Sequence, residues 1–190
     1  MSNWPSYIEK TKNKHPRPLL VRAMEYVEHK SSALDMGAGA LNDSRFLLES
    51  GFRRVIALDI EEVPEVSQGF DRNIFSFQKS AIEDFDFPAD SFDLVNAQFV
   101  LPFVRKSEIG RAMDAIKKSL HPNGIFVGQL FGPKDSWADN RDVSVFSRKE
   151  VKKFLEGLDI IYFDEEENDK KTLLGPVKHW HIFHFIAKRK

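Results

Sequence analysis

Ala33-Leu34-Asp35-Met36-Gly37-Ala38-Gly39-Ala40 decides the reading of this chain, because an apolar strand runs straight into two glycines separated by one residue. Glycine has no Cβ, so such a turn takes unusual dihedrals and lets a ligand lie against the main chain at the carboxyl edge of a sheet. Outward from it, short apolar runs alternate with helix-like segments. A helix is expected from about Ser44 to Glu49 and strands at Val55–Leu58, Ile74–Phe77 and Leu94–Ala97. A helix then spans about Ser107–Leu120, and a strand Ile125–Leu130 follows the turn His121-Pro122-Asn123-Gly124. This alternation predicts an α/β fold with a Rossmann-like, doubly wound sheet. A last helix, Ser147–Leu155, opens on a capping box of Ser147 and Glu150. Ile160–Phe163 and His181–Ala187 are joined through an acidic, turn-like connection, so they should pair antiparallel, with Glu165, Glu166 and Glu167 facing solvent in a loop. Before residue 31, Pro16 and Pro18 set off a helical stretch Leu19–His29, so residues 1–30 read as a flank or lid on a single domain, 1–190.

Charge narrows the ligand. In dinucleotide sites this turn faces a pyrophosphate, and a carboxylate at Asp35, two residues before the first glycine, would repel that anion. A cation suits Asp35 better. S-adenosyl-L-methionine carries a sulfonium and an ammonium group, and a strand-end carboxylate holds an ammonium directly or through water. Asp59 closes the second strand 24 positions after Asp35, near the spacing at which an acid reaches a ribose. Ile60 then covers one face of an adenine and Ile82 the other, with the Ile82 N–H or the Ser80 hydroxyl reading its edge.

Asp35-Met36-Gly37-Ala38-Gly39, Asp59, and Phe87-Pro88-Ala89-Asp90-Ser91-Phe92-Asp93-Leu94-Val95 together resemble the class I S-adenosylmethionine-dependent methyltransferases. Gln98-Phe99-Val100-Leu101-Pro102-Phe103 and the Phe131-Gly132 to Trp137 stretch are similar to the small single-domain enzymes of the tellurite-resistance type. The resemblance implies a seven-stranded sheet of order 3-2-1-4-5-7-6 with strand 7 antiparallel. It also implies S-adenosylmethionine as cofactor, S-adenosyl-L-homocysteine as product, and cofactor contacts at Asp35, Gly37, Ala38, Gly39, Asp59, Ile60, Ala81, Ile82 and Gln98. The sequence departs from the family pattern at Leu41, often a glycine, and at Ala81, often an aspartate.

The same residues weigh against rival chemistries. Tyr26 and Lys30 have the spacing of a short-chain reductase pair but precede the first strand, and no Gly-Lys-Ser or Gly-Lys-Thr cradles a triphosphate. Asn96-Ala97-Gln98-Phe99 lacks the paired prolines usual in enzymes that methylate amino groups of flipped bases. Twenty-eight basic against 29 acidic residues give no electrostatic reason for a nucleic-acid partner, and Lys10, Lys12 and Lys14 read as a solvated flank. There is no cysteine, which removes thiolate chemistry. No apolar run is long enough to span a bilayer and no secretion signal opens the chain, so a cytoplasmic location without membrane contact is expected.

The expected function is transfer of a methyl group to a small-molecule acceptor by in-line displacement; the alternative is a non-catalytic domain that binds S-adenosylmethionine. Alignment of the acceptor in a dry pocket supplies most of the rate, and only a phenol or alcohol acceptor needs a base, for which His179 is the candidate. His179 and His181 share one strand face with His184 opposite, and no third ligand stands near, so no metal is expected. Tyr7, Phe103, Phe131 and Trp137, with Trp4 and His179, are candidates for the acceptor pocket, and Arg17 for pairing with the cofactor carboxylate. No oligomeric state follows from the sequence.

Overall fold

The computed structural model describes residues 4–62, 69–172, 175 and 177–190. Seven strands form one sheet in the order β3-β2-β1-β4-β5-β7-β6. They are β1 (Ala33–Met36), β2 (Val55–Asp59), β3 (Phe75–Lys79), β4 (Phe92–Ala97), β5 (Leu120–Phe131), β6 (Leu158–Lys171) and β7 (Val177–Arg189). Strands β1 to β5 pair in parallel, while β7 runs antiparallel to both β5 and β6. Fold class and strand order are those expected from the sequence.

Central strands covered on both faces read as continuous apolar runs, and every residue of β1 and β4 is buried. One face packs Val95, Phe126 and Phe185 against Ile109, Met113 and Ile116 of a helix at Ile109–Ser119 and Val151 of a helix at Arg148–Phe154. The other packs Leu94, Val127 and Ile186 against Ile8, Leu20, Ala23 and Leu47. Those four come from α1 (Trp4–Thr11), α2 (Pro18–Ala23) and α3 (Asn42–Glu49); the two later helices are α4 and α5. The N-terminal segment is thus part of the core on that face.

Three expectations are corrected. The Leu19–His29 helix is α2 followed by a 3-10 turn, Met24–Tyr26, after which Val27 is extended as the chain heads for β1. The turn at His121–Gly124 lies within β5, where Asn123 takes φ +66° and the register against β4 shifts between Phe92 and Leu94. The acidic run is not a loop but the middle of β6, because each carboxylate finds a partner brought from elsewhere in the chain. Glu165 meets Arg148 and His181, Glu166 meets Lys170 and His184, and Glu167 meets Lys134.

At the start of α5 the Glu150 carboxylate accepts the Ser147 N–H at 2.7 Å, while the Ser147 hydroxyl accepts the Glu150 N–H. The Ser147 hydroxyl also donates to that carboxylate at 2.6 Å, and this bond, with the one from the Ser147 N–H, holds the Glu150 carboxyl below its ordinary range. Ser147→Ala is expected to cost about 1 kcal/mol, read by urea unfolding as a lower midpoint at unchanged slope.

Candidate functional site

Parallel pairing puts the ends of β1, β2 and β4 on one edge of the sheet. The first loop bends back there, with Gly37 at φ +67° and Gly39 at φ +50°. Its donors are already used. The N–H groups of Gly37 and Ala38 reach the Leu58 carbonyl at 2.8 and 3.2 Å, and that of Gly39 reaches the Asp59 carboxylate at 2.8 Å. A loop whose N–H groups are turned onto the neighbouring strand does not present the anion cradle that a pyrophosphate needs. What it presents is carboxylate. The residues here therefore fit a cationic nucleoside such as S-adenosylmethionine better than a dinucleotide.

Asp35 is fully enclosed, accepting from the Ser44 hydroxyl at 2.6 Å and from Asn96 Nδ2 at 2.7 Å. Burial, reinforced by the nearby Asp43 carboxylate, pushes its carboxyl up to about 7. Asn96 Nδ2 also reaches Asp43 at 3.2 Å, and the Gln98 amide donates to Asn96 Oδ1 at 2.8 Å. Arg17 closes this network: its guanidinium and its backbone N–H both bond Asp43, at 2.7 and 2.9 Å. Its charge ties the N-terminal segment to α3.

Asp59 is half-buried and accepts from Gly39 and from Glu61 N–H at 3.1 Å, leaving lone pairs for further donors. Burial raises its carboxyl, and those backbone donors oppose the rise. Beside it Ile60 is half exposed, an apolar surface without cover, whereas Ile82 is buried at the head of a 3-10 turn, Ile82–Asp84, with Ala81 before it. Leu41 explains its own departure from glycine. It takes the left-handed conformation, φ +60°, which costs roughly 1–2 kcal/mol, and buries its side chain, which returns about as much.

A cavity of about 400 Å³ opens next to this edge, and Gln98 and Arg17 line both the network and the cavity. Phe99, Gln129, Tyr162, Glu166 and His184 form more of its wall, and Arg22 of α2 lies over the Tyr162 ring at 3.8 Å. The residues expected to form an acceptor pocket fall elsewhere. Phe103, Phe131 and Trp137 do come together, with ring centroids 6.0–6.4 Å apart, but the cluster closes on Trp180 and on the Lys178 ammonium, which is paired with Asp135. Phe99 touches both this cluster and the cavity. Tyr7 is half-buried on α1 and Trp4 has its side chain outside the described residues.

His179 is also absent from the cavity wall: it pairs with Asp169 at 2.8 Å, two residues inside the end where β6 connects to β7. The histidine in the wall is His184, on the opposite face of the same strand. Its Nδ1 stands 2.7 Å from Gln129 Nε2 and its Nε2 stands 2.9 Å from Glu166. A signal for both was present. Gln129 interrupts the apolar face of Ile125 and Val127, as His184 interrupts that of Ile182 and Ile186, and the two are partners in the β5–β7 register.

A family model described as a methyltransferase domain matches residues 34–128 of the chain. A curated relative, the mitochondrial arginine-hydroxylase NDUFAF5 of Rattus norvegicus, is 32% identical over 101 residues, which are 53% of this chain and 29% of that protein. The chain therefore spans less than a third of that relative. Among solved structures, the 1,6-didemethyltoxoflavin-N1-methyltransferase of Burkholderia thailandensis superposes with a TM-score of 0.70 at 21% identity, covering 92% of this chain and 77% of that one. TehB from Haemophilus influenzae does so with a TM-score of 0.76 at 16% identity, covering 98% and 67%. At such identities the likeness is one of fold.

Proposed function

Since this chain belongs to the methyltransferase-domain family, with the class I fold and S-adenosyl-L-methionine as its cofactor, we propose that it transfers a methyl group to a small-molecule acceptor bound in the cavity beside Gln98 and Arg17. The observation that carries the reading is the first loop. Its N–H groups are spent on β2 while the carboxylates of Asp35 and Asp59 end the adjoining strands, a donor-poor, acid-rich edge. The cofactor, when bound, supplies a methyl on a sulfonium whose departure leaves a neutral thioether, so no acid is required for the leaving group.

What remains for the chain is to hold and to align. Asp35 offers a buried carboxyl that an ammonium brought beside it would hold in its ionised form, Asp59 retains acceptor capacity for ribose hydroxyls, and Ile60 offers apolar cover for a base. Gly37, Ala38 and Gly39 keep the backbone close, with Ala81, Ile82 and Gln98 bordering the same edge. Arg17, through Asp43, fastens the N-terminal segment beside the cavity, consistent with a cover that excludes water. A cavity of this volume suits a small molecule. The fold relative from Burkholderia was crystallised with 1,6-didemethyltoxoflavin and S-adenosylhomocysteine bound, an acceptor of that size class.

Thermal unfolding with added ligand tests the first half. S-adenosylmethionine and S-adenosylhomocysteine at a hundred times their dissociation constants should each stabilise the chain by about 2.7 kcal/mol, whereas NAD and ATP should not. A shift with NAD alone would overturn the reading. The second half is tested by screening amines, thiols, phenols and chalcogen anions for S-adenosylhomocysteine release; binding without turnover on any of them would favour a non-catalytic domain.

A further inference from the structure

Gln98 is the residue after β4, buried between the carboxylate network and the cavity, and the network fixes which way its amide points. Asp43 is the anchor. Its carboxylate accepts from the Arg17 guanidinium and backbone N–H, so the Asn96 atom that stands 3.2 Å from it must be the NH2. Turning the Asn96 amide over would set oxygen against that carboxylate. Asn96 Oδ1 therefore faces Gln98 and accepts only, which places the Gln98 NH2 against it at 2.8 Å. The Gln98 oxygen is left on the other branch of the amide. It has no hydrogen-bond partner among the described residues. Ser76 Oγ, Gln129 Oε1 and Asn168 Oδ1 are the fully enclosed side-chain atoms without one there, so the Gln98 oxygen is open to the space beside it. For a buried residue of the cavity wall, that space is the cavity.

We propose that Gln98 makes neutral amines the acceptors of this cavity, its oxygen taking a hydrogen bond from an N–H group and holding the nitrogen with its lone pair free to react. The inference rests on the methyltransferase reading of the site. An amide oxygen accepts a hydrogen bond but takes no proton at neutral pH, so it serves a nucleophile that needs none removed beforehand. An amine is such a nucleophile. Its lone pair forms the bond to the methyl carbon while the carbon–sulfur pair goes to sulfur, and the positive charge passes to nitrogen. The hydrogen bond to Gln98 strengthens as that charge develops, and the ammonium product then gives a proton to water. A thiolate or other chalcogen anion has no hydrogen to offer and meets a carbonyl oxygen instead. A phenol spends its one hydrogen on Gln98, which is no base.

The test titrates aniline, toluene, N,N-dimethylaniline and thiophenolate into the full isotope-labelled chain at pH 8 and follows amide chemical shifts. The unmodified protein should bind aniline more tightly than toluene, which has its shape, than N,N-dimethylaniline, which has a lone pair but no N–H, and than the thiophenolate anion. In Gln98→Met, or in Gln98→Leu should the first not fold, the preference for aniline over toluene and over N,N-dimethylaniline should fall about tenfold, the scale of one buried hydrogen bond. Differences in size and hydration among the probes are the same for every variant and cancel. Gln98→Glu, which as an acid can donate to Asn96 and still offers an oxygen, should keep the preference. Unchanged ratios in Gln98→Met or Gln98→Leu, thiophenolate binding the unmodified protein more tightly than aniline, or no shifts at cavity residues with any probe would overturn the proposal. Titration of the same samples with S-adenosylhomocysteine keeps the two readings apart. An unmodified protein that ignores S-adenosylhomocysteine but shows the amine preference, lost in Gln98→Met, sinks the methyltransferase reading alone.

Discussion

Gly37→Ala is expected to destabilise the chain by about 3 kcal/mol, lowering its melting temperature by roughly 6–12 °C, and to remove binding of S-adenosylhomocysteine. Two terms add. Gly37 sits at φ +67°, where a side chain costs roughly 1–2 kcal/mol. A Cβ built there would also lie 2.6 Å from Val100 Cβ and 2.7 Å from its Cγ2, and a β-branched residue has no flexible end to move aside. The terms separate in a double variant: measured against Val100→Gly alone, adding Gly37→Ala meets no Val100 side chain and leaves the backbone strain, so its cost should fall to roughly 1–2 kcal/mol. Calorimetric unfolding reads both. A Gly37→Ala protein that melts like the parent would mean that the loop does not approach Val100 as described.

Asp35→Asn is expected to make the ligand-free chain more stable at pH 8 while weakening S-adenosylmethionine binding roughly 10–100-fold. The folded-state carboxyl of Asp35 stands at about 7 against an ordinary 3.8, so between those values the folded chain keeps a proton that the unfolded chain has released. Stability from this group is therefore greatest at low pH, falls as pH rises from about 4 to about 7, and is level above. The substitution removes the titration. The difference between variant and parent in urea unfolding should be near zero at pH 4 and grow to an upper limit of about 4 kcal/mol above pH 7. The Asn96 donor keeps an acceptor, and the Ser44 hydroxyl can rotate to accept the new amide hydrogen. In the parent, an ammonium brought beside Asp35 favours its ionised form, so binding below pH 7 should release a proton, seen as a dependence of binding heat on buffer. A variant less stable than the parent at pH 8 would contradict the assignment of burial and Asp43 as the causes.

The second prediction follows from repulsion stored at the sheet edge, which a cationic ligand brought beside Asp35 would relieve. Asp35 is held close to Asp43, whose own partner is Arg17. The apo chain thus carries a carboxyl that prefers its neutral form, and a cationic ligand supplies what the interior lacks.

Much of this was legible in the residues alone. The strand–glycine turn at 33–40, the acid at Asp59, the apolar runs of β4 and β5 and the Ser147–Glu150 cap each depend on neighbours within a few positions, and local order is what periodicity reports. Strand order was what the family resemblance implied, and the structure has it. The length of β6 was not legible, because Glu165, Glu166 and Glu167 read as a solvated turn until Arg148, Lys134, His181 and His184 are placed against them. His179 and His184 are alike in sequence, each beside an aromatic residue or close to one, and only the pairing of β5, β6 and β7 puts one against Asp169 and the other against Gln129 and a cavity.

By itself, then, the sequence determined the class of fold and the gathering of glycine and carboxylate at one edge of the sheet, since periodicity, glycine and carboxylate act over a few residues. Tertiary structure alone decided which side chains line the cavity. Hydrogen bonds such as those between Gln129 and His184 and between His184 and Glu166 join three strands, and a chain read in one dimension does not say which strands become neighbours in what register.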